Sequence, residues 1–134
     1  MGIFRREART ENYKELCSWI QETRANWHIS KELANKLDIC VEEIFANISN
    51  YAYSENVGMF EVEFKKTDEN IILEFQDEGI EFNPLEKPEP ILHLPPEKRV
   101  PGGLGIYLTK KMSDEIIYKR ENNKNILTIV FYLK

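Results

Sequence analysis

Three short groups of residues have the types and spacing to do chemistry. In Val41-Glu42-Glu43-Ile44-Phe45-Ala46-Asn47, Glu43 and Asn47 lie four residues apart, so on a helix they project from one face, one turn apart, beside the apolar stripe of Ile44 and Ile48. A carboxylate placed there can accept a proton or polarise an attacking hydroxyl. The amide oxygen beside it is a hard ligand for Mg2+, which keeps its other positions for water and phosphate. A solvated side-chain pair is the commoner origin of this spacing. In Phe75-Gln76-Asp77-Glu78-Gly79 an aspartate ends an apolar run and a glycine turns the chain two residues later. That is ordinary turn chemistry, yet an aspartate held at a strand end can also accept a hydrogen bond from an exocyclic amine such as that of adenine. Gly102-Gly103-Leu104-Gly105 opens a short helical pattern. Glycines there are either a plain turn or a place where backbone approaches a ligand and exposed N–H groups hold an anion without a lysine. The Walker pattern and the eukaryotic-type kinase motifs are absent, so any nucleotide would be held another way.

The elements that must position these groups follow from periodicity. Tyr13, Leu16, Cys17, Ile20, Thr23 and Trp27 recur at three- and four-residue steps, predicting a helix over 11–27 with Thr10 as its N-cap. After Ser30 a stronger pattern of Leu33, Leu37, Cys40, Val41, Ile44, Phe45, Ile48 and Ala52 predicts a core helix of about twenty residues. From Met59 the period changes to two. Phe60, Val62 and Phe64, a Thr67-Asp68-Glu69-Asn70 turn, and Ile71, Leu73 and Phe75 predict a hairpin. A short helix over 103–112, strands over 115–119 and 126–133, and a polar Glu121-Asn122-Asn123-Lys124 turn complete the chain. Helices on one side and antiparallel hairpins behind them predict a two-layer α/β (α+β) sandwich with a single helical face. All six prolines fall between positions 84 and 101, marking a lid, a binding loop or a surface insertion.

Composition bounds the rest. A chain of 134 residues suits one domain with a sizeable core, here 1–134. Eighteen Lys and Arg against 23 Asp and Glu leave a net charge of −5, which offers no general basic face to nucleic acid. No run approaches the ~20 apolar residues of a membrane span, and MGIFRREART carries charge where a signal peptide needs its apolar stretch. These features predict a cytoplasmic chain with neither membrane nor nucleic-acid partner. Cys17 and Cys40, and His28 and His93, are too scattered for a disulfide framework or a structural zinc site.

The order of the motifs is more telling than any one of them: E-x-x-x-N on a long helix, D-x-G after a strand, a proline-rich span, G-G-L-G opening a helix, then a closing hairpin. In this order nearly the whole chain resembles the GHKL superfamily of ATP-binding domains, which includes gyrase, heat-shock chaperones, histidine kinases and mismatch-repair ATPases. Val41–Asn47, Asp77-Glu78-Gly79-Ile80-Glu81-Phe82-Asn83-Pro84-Leu85 and Gly102-Gly103-Leu104-Gly105-Ile106-Tyr107-Leu108 most resemble the bacterial anti-sigma factor/serine-protein kinases. The resemblance implies a Bergerat fold with helices on one face of a mixed, mainly antiparallel sheet. It implies bound ATP or ADP with Mg2+, Glu43 as catalytic base and Asn47 as Mg2+ ligand. Asp77 would receive the adenine amine and Gly79 admit the purine. Gly102, Gly103, Leu104 and Gly105 would shape the phosphate side, Thr128 would support the aspartate, and 84–102 would form an ATP lid. The D-x-G-x-G of the superfamily becomes Asp77-x-Gly79-x-Glu81 here, and the lid's Lys98 and Arg99 match no assigned γ-phosphate contact. The first predicted helix lacks a histidine to accept phosphate, so the acceptor is expected on another chain. The resemblance implies a STAS-type anti-anti-sigma protein phosphorylated on serine, a sigma factor as competing partner, and leaves a homodimer open. Two readings result: a serine/threonine protein kinase and anti-sigma regulator, or a catalytically inactive module that binds a partner according to ATP or ADP. An interaction domain with decayed motifs fits less well, because Glu43, Asn47, Asp77 and Gly105 are all present.

Overall fold

The computed structural model describes residues 2–53, 58–86 and 103–133, with backbone alone at 51, 103 and 104. The proline-rich stretch after residue 86, with Lys98, Arg99 and Gly102, therefore lies outside the described residues. Five strands, β1 (Gly2–Glu7), β2 (Met59–Lys66), β3 (Asn70–Asp77), β4 (Glu115–Glu121) and β5 (Lys124–Tyr132), form one sheet in the order β1-β2-β3-β5-β4. Every pairing among them is antiparallel, so the parallel component that the resemblance allowed is absent from the described sheet. Helices α1 (Tyr13–Arg24), α2 (Lys31–Asn47) and α3 (Gly103–Met112) contribute apolar residues to the single core over one sheet face. The expected two-layer architecture is the one observed.

Alternation on the strands explains the layering. β3 buries Ile71, Leu73, Phe75 and Asp77, while Ile72, Glu74 and Gln76 point the other way. Val62, Phe60 and Phe64 do the same on β2. α2 meets this face with Leu37, Cys40, Val41, Ile44 and Phe45, and Phe45 packs edge-on against Phe60 at 5.4 Å between centroids. Each such fully buried aromatic contributes roughly 1.5–3 kcal/mol by removal from water. The outer face is laced with exposed ion pairs such as Arg5–Glu61 and Lys65–Glu63.

Three local differences from the sequence reading have physical causes. β1 was not anticipated, because Phe4 alone is buried in GIFRRE, and one inward residue makes no periodic signal. Thr10 does not cap α1. It begins a 3-10 turn, Thr10–Asn12, and α1 starts only at Tyr13; Asn12 Nδ2 donates instead to the Glu7 carbonyl at 2.9 Å, tying the helix start to β1. Trp27 lies beyond the helix end and packs with its ring tilted against Phe64, 4.6 Å between centroids. Ser30 does cap α2, its hydroxyl accepting from Leu33 N at 3.1 Å. The α2 pattern runs on to Ala52, but the α-helix stops at Asn47 and widens into a π turn over Ile48–Ala52, a device that often marks a functional end of a helix.

Candidate functional site

The site is built where α2 gives way to its π turn and faces the ends of β3 and β5. Asp77 is the last residue of β3, and the period of two keeps its side chain on the core face with Phe75. Antiparallel register sets Asn125, near the start of β5, directly opposite Asp77. The β4–β5 turn, where Asn122 and Asn123 both take left-handed φ (53° and 62°), as this two-residue hairpin turn requires, sets the register of β4 on β5. Leu127 faces Tyr118 across β4, and Arg120 faces Asn125. A narrow cavity of about 40 Å3 opens between these strand ends and the π turn, with Ile44, Asn47, Asp77, Phe82, Tyr118 and Asn125 in its walls.

The polar groups of the cavity are mostly committed. Asp77 Oδ1 accepts from Gly79 N and from Asn125 Nδ2, both at 2.9 Å. The other hydrogen of Asn125 Nδ2 goes to the Ile80 carbonyl at 2.7 Å. Its Oδ1 accepts from the Tyr118 hydroxyl at 2.6 Å and from Phe82 N at 3.2 Å. Arg120 Nη1 donates to the Gly79 carbonyl at 2.8 Å. Asp77 is only 7% exposed; burial pushes its carboxyl up from the ordinary carboxylate value, opposed by the Asn125 amide, the Gly79 N–H and the nearby Arg120 charge. Asn47 Nδ2 is buried without a hydrogen-bond partner among the described residues, a costly arrangement that a ligand can relieve.

The predicted site residues separate into groups. Asn47 and Asp77 share the cavity wall. Glu43, one turn earlier on α2, points instead at α3: a Cβ on Gly105 would collide with Glu43 Oε2, so the glycine is what allows the carboxylate to lie against the start of α3. Burial, then the charge of Glu42, raises the Glu43 pKa. Gly79 is buried against the π turn, where a Cβ would overlap the Ala52 carbonyl oxygen, and Ile80 N donates to that oxygen at 3.0 Å. Gly103 and Leu104 open α3. Thr128 is a correction. It sits opposite Glu74 on β3 and Ile117 on β4, on the sheet face away from the cavity. Three residues along a strand from Asn125 inverts the side chain's direction. The residue that supports Asp77 is Asn125. Asn125, Tyr118 and Arg120 were missed from the sequence. The available signal was an amide in step with Leu127, Ile129 and Phe131 on the buried face of β5.

A sheet covered on one face, with an acidic strand end and an asparagine-bearing helix enclosing one cavity, defines the class. The chain belongs to the histidine kinase-like ATPase domain family, which it matches over residues 6–131. Among curated proteins it is similar to the serine-protein kinase RsbW of Bacillus mycoides strain KBAB4, 27% identical over an aligned length of 100 that covers 68% of this chain and 59% of that protein. The serine-protein kinases RsbW of Bacillus cereus strain AH187 and Bacillus thuringiensis strain Al Hakam are each 26% identical over an aligned length of 100, with the same 68% and 59% shares. The match thus spans under two thirds of the relatives' length. Among the described residues no helix is long and apolar enough to cross a membrane.

Proposed function

We propose that this chain binds ATP and ADP in the cavity between α2 and the ends of β3 and β5, and that it is a protein-serine kinase of the anti-sigma regulatory type. The observation that carries the reading is that Asp77, whose two donors both fall on Oδ1, shares the wall of one cavity with Asn47, whose Nδ2 has no hydrogen-bond partner among the described residues. Asp77 would accept from the 6-amine of the base, while Ile44, Ile48, Phe75 and Leu127 supply the apolar contact a purine ring needs. The cavity holds only a few water molecules at about 40 Å3, so the loop carrying Phe82 and Pro84 would move outward to admit the ring.

Mg2+ fits the donors present. No three His, Cys, Asp or Glu side chains converge among the described residues, so a cation here would draw mainly on phosphate and water, with the oxygen of Asn47 as its protein ligand. When bound, Mg2+ supplies neutralisation of phosphate charge. Glu43, its proton affinity raised by burial, would orient the acceptor serine and take its proton as the γ-phosphoryl passes to the hydroxyl, leaving ADP. The N-terminal turn of α3, starting at Gly103, would face the phosphates with its N–H groups.

The names of the RsbW relatives support serine in a protein as acceptor. The partner we propose is a small STAS-type anti-anti-sigma protein, competing with a sigma factor for the same chain. Single-turnover transfer to such a protein tests this reading. Glu43→Gln should keep ATP affinity and partner affinity while losing about 10²–10⁴ in transfer rate. Transfer that is unchanged in the variant removes Glu43 from the reaction. If the wild type transfers nothing but ATP still alters partner affinity, the chain is a nucleotide-dependent binding module.

A further inference from the structure

The hub of the cavity is a residue to which neither its motifs nor its relatives' names assign a role. Asn125 uses all four of its hydrogen-bonding positions: Nδ2 to Asp77 Oδ1 and the Ile80 carbonyl, Oδ1 from the Tyr118 hydroxyl and Phe82 N. Only one orientation of the amide satisfies these partners. A flipped amide would set its oxygen against a carboxylate and a carbonyl, and its NH2 against the Phe82 N–H. Tyr118 reinforces the choice. From β4 it reaches diagonally past its own register partner Leu127 to Asn125, a span open to an aromatic side chain. Asn125 is 7% exposed and Asp77 equally so, so the contact between them is shielded from competing water.

We propose that Asn125, oriented by the Tyr118 hydroxyl, is a positioning residue for base selection: by occupying Oδ1 of Asp77 with Gly79 N, it turns Oδ2 to the cavity as a fixed acceptor and restricts the site to 6-aminopurines. A 6-oxo group would meet that oxygen as acceptor against acceptor. The proposal rests on the reading of the cavity as an adenine nucleotide site. Because Asn125 also pins the rim at Ile80 and Phe82, a general loss of affinity on its removal would show only a structural role. The informative quantity is the difference between two ligands that differ in the amine alone.

The test is calorimetric titration of the wild type, Asn125→Ala and Tyr118→Phe with Mg2+ and either ATP or purine riboside triphosphate, which lacks the 6-amine. The wild type should favour ATP by about tenfold. In Asn125→Ala the ATP affinity should fall about tenfold and that for the analogue less than about threefold, bringing the ratio down to about one to three. Tyr118→Phe, which keeps the ring, should lower the ratio by about two- to fivefold. Equal losses for both nucleotides in Asn125→Ala overturn the proposal. Should that variant not fold, an unchanged ratio in Tyr118→Phe overturns it alone. A wild type that binds ATP with no preference over the analogue overturns it as well, whereas a wild type that binds neither nucleotide overturns the reading of the cavity itself.

Discussion

Replacing Asp77 with asparagine is expected to move ligand affinity and fold stability in opposite directions. Oδ1 of Asp77 receives two donors, Gly79 N and Asn125 Nδ2, each at 2.9 Å. An asparagine at this position therefore keeps its carbonyl oxygen on those donors and places its NH2 where Oδ2 stood. An adenine amine that had met a charged acceptor then meets another donor. A hydrogen bond to a charged group is worth about 1.5–3 kcal/mol, so ATP and ADP should bind roughly ten- to a hundredfold more weakly. Stability responds through the same carboxyl. Burial raises its pKa in the folded state, against the Asn125 and Gly79 donors and the Arg120 charge. The native state thus favours the protonated form, and this stabilising contribution is complete below the unfolded value of about 4 and is lost as pH rises through the raised folded value. At neutral pH the wild type holds a buried charge that Asp77→Asn lacks. The variant should therefore be the more stable at pH 7, with the advantage shrinking toward pH 4. Calorimetry with Mg2+-ATP and urea unfolding across that pH range measure both effects. Unchanged ATP affinity, or a stability difference that narrows as pH rises, would refute the reasoning.

Two glycines offer simpler contrasts. In Gly105→Ala the new methyl displaces the end of the flexible Glu43 side chain, while alanine is better than glycine in a helix by about 1 kcal/mol. Thermal unfolding should show an unchanged or higher midpoint, with phosphoryl transfer reduced; a large loss of stability would mean that Glu43 cannot yield. In Gly79→Ala the methyl meets the backbone carbonyl of Ala52, which cannot step aside as a side chain can, so urea unfolding should show a loss of about 1–3 kcal/mol. A neutral result there would indicate that the π turn is not held against β3.

Much of the molecule was legible in the chain because local periodicity is a property of neighbouring residues. The stripe from Leu37 to Ile48 marked α2, and strict alternation marked β2 and β3 and placed Phe75 on a buried face. The family layout was readable from the order of Glu43, Asn47, Asp77 and Gly105, since each motif needs only a helix, a strand end or a glycine turn to make sense. What the tertiary structure decided were matters of register and close approach. β1 owes its place to pairing with β2, because one buried phenylalanine carries no period. Gly79 and Gly105 are explained by the Ala52 carbonyl and the Glu43 carboxylate, groups remote in sequence that the fold brings against them. Thr128 and Asn125 stand three residues apart on one strand, and only the pairing of β5 with β3 shows which of them faces Asp77. A strand reverses its side chains at every residue. A motif threonine near the right place therefore points away from the cavity, while an unremarked asparagine holds the aspartate at its centre.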